Sequence, residues 1–167
     1  MLQPPVLPEE KLARVERVGR AHGTCVLFVA AFFALLSGVA GDYLGAIVGL
    51  LVAGAGAIES HGAALLREGE PRGVTWLVGS QFFLFVTIGS YCVLRLIHIE
   101  LPPIPDELRP MLELNASQAG LSVQDYLMLV YRLGFWTLLI LSVFYQGGMA
   151  LYYFMRRDSV ARALGEE

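Results

Sequence analysis

The chain has 167 residues, of which 56% are apolar and 16% charged, and its formal net charge is −3. Its mean hydropathy is +0.59, and the sequence contains no basic patch suited to nucleic acid, so no nucleic-acid partner is expected. This length and composition predict a single four-helix membrane domain over residues 1–167, with no separate soluble domain.

Four apolar runs of membrane-spanning length dominate the sequence. They cover residues 22–41, 43–66, 74–98 and 126–155. About 20 apolar residues in a helix match the hydrocarbon thickness of a bilayer, and a helix satisfies its own backbone there. The fold class is therefore expected to be all-α and integral to the membrane, with four transmembrane helices.

The distribution of basic residues predicts the orientation. Only Arg109 falls in the 99–125 loop. The terminal tails, 1–21 and 156–167, and the 67–73 loop contain Lys11, Arg14, Arg17, Arg20, Arg67, Arg72, Arg156, Arg157 and Arg162. By the positive-inside rule both termini are cytoplasmic and the 99–125 loop is outside. A composition rich in Ala, Gly, Leu and Arg with a single Lys is typical of a GC-rich bacterial genome, so the membrane is expected to be the bacterial cytoplasmic (inner) membrane.

The outer loop is predicted to contain local structure. Residues 101–105 include three prolines and predict an extended spacer. Residues 106–118 predict a short helix that tolerates Pro110 near its first turn, and Gly120 suits its end.

A capping pattern predicts the start of the last long helix. Ser122 is followed three residues later by Asp125, which is typical of a helix N-terminus. We expect this helix to run over residues 123–157, which is about 50 Å at 1.5 Å per residue.

Small residues recur at every fourth position of the second span, at Gly45, Gly49, Ala53 and Ala57. Such a stripe lets another helix approach closely within lipid. Two alternatives fit this helix-packing face: contact with the first or third span of the same chain, or an oligomer interface.

Glu59 is the only carboxylate well inside a predicted span, and His61, Gln81 and Gln146 lie at a similar predicted depth. Intramembrane ionisable groups are often functional, so this inner polar cluster is a candidate ion or proton site. The alternatives are a structural hydrogen bond between helices or a Glu59 that reaches the headgroups. We expect Glu59 to face protein and to bond His61, Gln81 or Gln146, directly or through a water.

His22 and His61 are the candidates for metal or haem ligands, together with Cys25 or Glu59. The sequence has no HxxxH, CxxC or CxxCH spacing, so no metal and no cofactor are predicted.

A second polar group is expected at the outer end of the third and fourth spans. Tyr91, Arg95 and His98 share one helix face, and Arg132 lies at comparable height. Guanidinium groups suit carboxylate and phosphate, so the group is a candidate site for an anion or a lipid. The alternative is ordinary anchoring by snorkelling arginines and an aromatic belt.

No catalytic motif is present, and no catalytic residue is predicted: the sequence lacks a phosphate loop, GxSxG, HExxH and paired catalytic carboxylates. The first hypothesis is a non-enzymatic subunit or scaffold in a homo- or hetero-oligomeric membrane complex. The second is an oligomeric channel or transporter for ions or protons built around Glu59, and the third is a redox or haem-binding subunit. Expected partners are membrane lipids, copies of the chain and other membrane subunits.

Overall fold

The computed structural model describes residues 7–99, 101 and 104–165. Within these residues the chain forms helices and no strands. The helices are α1 (Pro8–Val39), α2 (Tyr43–Arg67), α3 (Gly73–Ile97), α4 (Arg109–Gln118), α5 (Val123–Phe154) and α6 (Arg157–Ala163). Four segments are long and apolar enough to cross a membrane: α1, α2, α3, and Val123–Ala163, which comprises α5 and α6. The predicted all-helical class with four span-length helices is confirmed.

The first helix begins much earlier than the predicted span at residue 22. It starts at Pro8, and Glu9 and Glu10 lie in its first turn. Proline favours the first helical positions, and acidic side chains interact well with the positive end of the helix dipole. The described part of the predicted 1–21 tail is therefore an extension of α1, and residues 1–6 lie outside the described part.

A tight turn joins α1 to α2. Gly41 has a φ of +79°, which favours glycine, and the Asp42 side chain accepts a hydrogen bond from the Gly45 backbone N–H at 3.0 Å. This cap fixes the start of α2 directly after the turn.

The chain divides into two compact units, residues 1–88 with 142–167 and residues 89–141. The core of the first unit joins the first half of α1, the end of α2, the start of α3, the end of α5 and α6. Its buried residues are Val15, Ala63, Leu66, Val74, Leu77, Tyr153 and Val160.

The backbones of α1 and α2 approach each other closely at glycines. A Cβ added at Gly56 would lie 2.5 Å from the backbone nitrogen of Leu27 and 2.7 Å from the carbonyl oxygen of Gly23. Farther along the pair, a Cβ at Gly49 would lie 2.8 Å from the Cβ of Ala34. Neither glycine can carry a side chain without a shift of the helices.

The predicted stripe of small residues describes only part of this contact. Gly49 and Ala53 follow it, because Gly49 meets α1 and Ala53 is buried. Gly45 instead lies against its own capping residue Asp42, and Ala57 is exposed. A step of four residues overshoots one helical turn by about 40°, so a strict four-residue stripe drifts off a straight interface. The observed face continues through Gly56 rather than Ala57.

The 89–141 unit contains the predicted short helix and its end. Pro110 occupies the first turn of α4, and Gly120 has a φ of +68°. The Ser122 hydroxyl accepts from the Asp125 N–H at 3.1 Å and donates to the Asp125 carboxylate at 2.7 Å. The predicted cap is confirmed, and the predicted helix is present but begins at Arg109 rather than at residue 106. Within the predicted spacer, Pro102 and Pro103 lie outside the described residues.

The last long helix ends before its predicted end at residue 157. After Phe154 the chain makes a turn, in which the Arg156 N–H bonds the Tyr153 carbonyl at 3.1 Å, and α6 follows. The Arg156 guanidinium also donates to the Tyr152 carbonyl at 3.2 Å. Side chains that bond the last carbonyls are a common way to end a helix.

Candidate functional site

The buried face of α5 is polar although the helix as a whole is apolar. Its buried residues are Ser142, Gln146 and Tyr153, whereas Leu141 and Phe144 are exposed. Spacings of four and seven residues place the three buried side chains on one side of the helix. Helix α5 is thus apolar outside and polar inside, the reverse of a helix in a water-soluble bundle.

Glu59 lies at the centre of three helices and is fully buried. Its Oε1 accepts a hydrogen bond from the Tyr153 hydroxyl of α5 at 2.7 Å. Its Oε2 lies 2.7 Å from Nδ1 of His22 of α1. We call Glu59, His22 and Tyr153 the Glu59 cluster. Both carboxylate oxygens have a partner, which offsets the loss of water around a buried acid.

The close approach of α1 and α2 positions the contact between His22 and Glu59. His22 precedes Gly23, and Glu59 lies one turn after Gly56, so the glycines bring the two backbones together beside the pair. Tyr153 belongs to the apolar core, which holds its ring while its hydroxyl reaches Glu59. The Tyr145 ring lies against His22, with the ring centroids 5.5 Å apart.

The geometry of the Glu59 cluster can hold a proton in either of two places. When Glu59 is ionised, an N–H on Nδ1 of His22 donates to it, and when the carboxyl is protonated it donates to a bare Nδ1. The His22 side chain is 14% exposed, whereas that of Glu59 is 0% exposed. The cluster therefore reaches the protein surface through His22.

The direct hydrogen bonds of Glu59 go to His22 and Tyr153, not to the predicted partners. His61 is exposed and packs edge-on against Trp76. It does not point toward the partners of Glu59, because residues two apart on a helix point in different directions. Gln81 is fully buried, and neither polar atom of its amide has a partner within the described part of the chain. Gln146 is 8% exposed, and its Oε1 has no partner there either. The expectation that Glu59 faces protein is confirmed.

The two glutamines line a groove between α3 and α5. The groove has a volume of about 290 Å³. Its walls are Val78, Gln81, Phe82, Phe85, Val143, Gln146, Gly147 and Ala150. A Cβ added at Gly147 or at the adjacent Gly148 would meet no atom within 4 Å. This part of α5 is thus uncovered, whereas the amide atoms without partners lie beneath the groove surface, shielded from solvent.

The structure separates the two candidate metal ligands. His22 is engaged by Glu59, and His61 packs on Trp76. Among residues 7–99, 101 and 104–165, no group of three or more His, Cys, Asp or Glu side chains could hold a metal ion.

The predicted outer group is brought together in part. The Arg95 Nε–H donates to the Tyr91 hydroxyl at 3.3 Å, and the guanidinium lies 5.4 Å from the centroid of the same ring. Tyr91 also packs edge-on against Phe135 of α5. His98 and Arg132 are exposed side chains.

Sequence reasoning missed Tyr153 as a partner of Glu59 and considered His22 only as a metal ligand. A signal for Tyr153 existed, because it lies seven residues after Gln146 and so shares its helix face. His22 could have been found only with the packing of α1 against α2.

Comparison with known proteins gives no family: the chain matches no family model, no curated protein and no solved structure.

Proposed function

We propose that the chain is a multi-pass integral membrane protein of a bacterial cytoplasmic membrane, with both termini in the cytoplasm. It acts as a non-enzymatic subunit or scaffold in a homo- or hetero-oligomeric membrane complex. The burial of α5 supports the membrane environment, because lipid accommodates its exposed apolar side chains while the polar face turns inward.

The groove between α3 and α5 carries the proposal of a subunit. Small residues let another helix approach closely within lipid. A Cβ added at Gly147 would meet no atom within 4 Å, and the open surface of the groove beside it is apolar. A helix from another subunit would cover this groove and pack against Gly147.

Native mass measurement tests this proposal. The tagged full chain is extracted from its source membranes, and we expect the mass of an assembly rather than of one chain. Gly147→Leu should dissociate the assembly, because its side chain would occupy the groove that the partner helix needs, and its Cβ meets no atom within 4 Å. Gly134→Leu is the matched control, since Gly134 is on the same helix and also has open space.

The outcomes separate the two levels of the proposal. A parent protein that is always a single chain without a partner contradicts the role as a subunit. If the assembly forms with Gly147→Leu as well as with Gly134→Leu, the groove is not the contact between subunits, but the role as a subunit still holds.

A second candidate is an oligomeric channel or transporter for protons or cations, and the Glu59 cluster favours it. A fully buried carboxyl bonded to a partly exposed imidazole can exchange a proton with water through the imidazole. The Gln81 amide and Oε1 of Gln146, which lack partners within the described part of the chain, would then have to open to water along the path.

A further inference from the structure

Three basic side chains converge on one small cavity between α1 and the α5–α6 turn. The cavity has a volume of about 260 Å³. Its lining consists of Lys11, Arg14, Met155, Arg156 and Ser159, which we call the basic pocket. The lining contains three cations and a hydroxyl, and no carboxylate.

The cations of the basic pocket lack acidic partners. Among the described residues, neither Lys11 nor Arg14 nor Arg156 forms an ion pair with a carboxylate within 4.0 Å. Other arginines do form such pairs: Arg20 with Glu16, Arg72 with Glu70, Arg109 with Asp106 and Arg157 with Asp158. Like charges held around one cavity repel each other unless an anion lies between them.

The structure holds Arg156 in place before any ligand binds. Its guanidinium carbon lies 3.7 Å from the centroid of the Tyr152 ring, and one N–H bonds the Tyr152 carbonyl at 3.2 Å. An arginine has five N–H donors, so most of them stay available. Lys11 and Arg14 are three residues apart on α1 and therefore share a face. Ser159 is buried beside them.

We propose that the basic pocket binds a phosphate group, carried by an anionic lipid or by a soluble phosphate. Phosphate offers several oxygen acceptors that match guanidinium forks, an ammonium group and a hydroxyl. Met155 lines the pocket and is 72% exposed, which supplies an apolar neighbour for a lipid chain. The pocket lies beyond the end of α5, where a headgroup phosphate meets a protein that spans a membrane.

Thermal unfolding of the full chain in nanodiscs tests the site. Discs of phosphatidylcholine are compared with discs containing phosphatidylglycerol, and inorganic phosphate is added to the former in a third arm. The parent protein should be stabilised by phosphatidylglycerol if the ligand is a lipid, or by inorganic phosphate if it is soluble. In the double variant Arg14→Gln/Arg156→Gln the ligand should bind about tenfold more weakly or worse, since two charged donors are lost.

The matched control is Arg17→Gln/Arg162→Gln, which removes the same charge from exposed positions outside the pocket. It should respond as the parent does, and Arg14→Lys/Arg156→Lys should keep part of the response if the glutamine variant folds poorly. If the Arg17→Gln/Arg162→Gln control loses as much of the stabilisation, the effect depends on overall surface charge, and the proposed site is contradicted. A parent protein unaffected by both phosphatidylglycerol and inorganic phosphate would overturn it as well.

Discussion

At Glu59 an acidic side chain is removed completely from solvent, and its two neighbours determine how stable that arrangement is. The 2.7 Å bonds to His22 and Tyr153 tie α2 to α1 and α5. Hydrogen bonds to a charged group contribute about 1.5–3 kcal/mol each, and a buried partner that is left alone loses its own solvation. The same residue can thus join three helices and hold a proton.

Substitutions of Glu59 distinguish these roles. Glu59→Ala leaves the His22 nitrogen and the Tyr153 hydroxyl without a partner, so the free energy of unfolding should fall by about 3–5 kcal/mol. Glu59→Gln keeps the shape and both contacts and should lower it by no more than about 1.5 kcal/mol. Denaturant unfolding in one detergent measures both variants.

Glu68→Gln serves as the control, because Glu68 is exposed at the end of the same helix. An alanine variant as stable as the parent would show that the cluster does not stabilise the fold. If the second candidate function holds, Glu59→Gln should fold but no longer dissipate a pH gradient in proteoliposomes. Undiminished proton flux in a folded Glu59→Gln variant would exclude the proton role.

Helices α1 and α2 contact each other closely, and glycines on both sides create this contact. Gly23 and Gly56 face each other so tightly that an added Cβ would meet backbone atoms. Close backbone approach of this kind is how helices pack when lipid replaces water outside. The contact also brings His22 beside Glu59.

Two alanine substitutions on α2 should have opposite effects on stability. Gly56→Ala forces the helices apart and should destabilise the protein by about 1–3 kcal/mol, as overpacking does. Gly54→Ala meets no atom within 4 Å and should stabilise it by about 0.5–1 kcal/mol through helix propensity. Thermal unfolding of the two variants in the same micelles checks the difference. Equal effects of the two substitutions would contradict the close α1–α2 contact.

Helix ends could be predicted from the sequence, because their signals lie within a few residues, whereas contacts between helices could not. Ser122 with Asp125 and Gly120 gave correct helix ends, because caps and stops act within a few residues. The bonds of Glu59 join residues 37 and 94 positions apart, so they depend on helix rotation. The predicted depth of each side chain in the membrane does not define helix rotation. Depth therefore suggested His61 as a partner of Glu59, but His61 points toward Trp76.

The last candidate span buries polar side chains and exposes apolar ones. The most apolar window of the last candidate span has only 6% of its residues buried, and the buried residues of α5 are polar. Helices α1 and α5 have 32 residues each, about 48 Å, which exceeds the roughly 30 Å of a bilayer core. We expect their excess length to lie outside the hydrocarbon.

Cysteine labelling tests the orientation of the whole molecule. Ser117→Cys and Arg162→Cys are made singly in a Cys25→Ala/Cys92→Ala background, and both positions are exposed. Because nine basic residues fall on the predicted cytoplasmic side and Arg109 alone falls in the outer loop, an impermeant thiol reagent should label only position 117 in intact cells. Both positions should be labelled after lysis, which serves as the control for reactivity. Labelling of position 162 in intact cells would place the C-terminus outside. The basic pocket would then meet the outer leaflet, and its lipid ligand would have to come from that side.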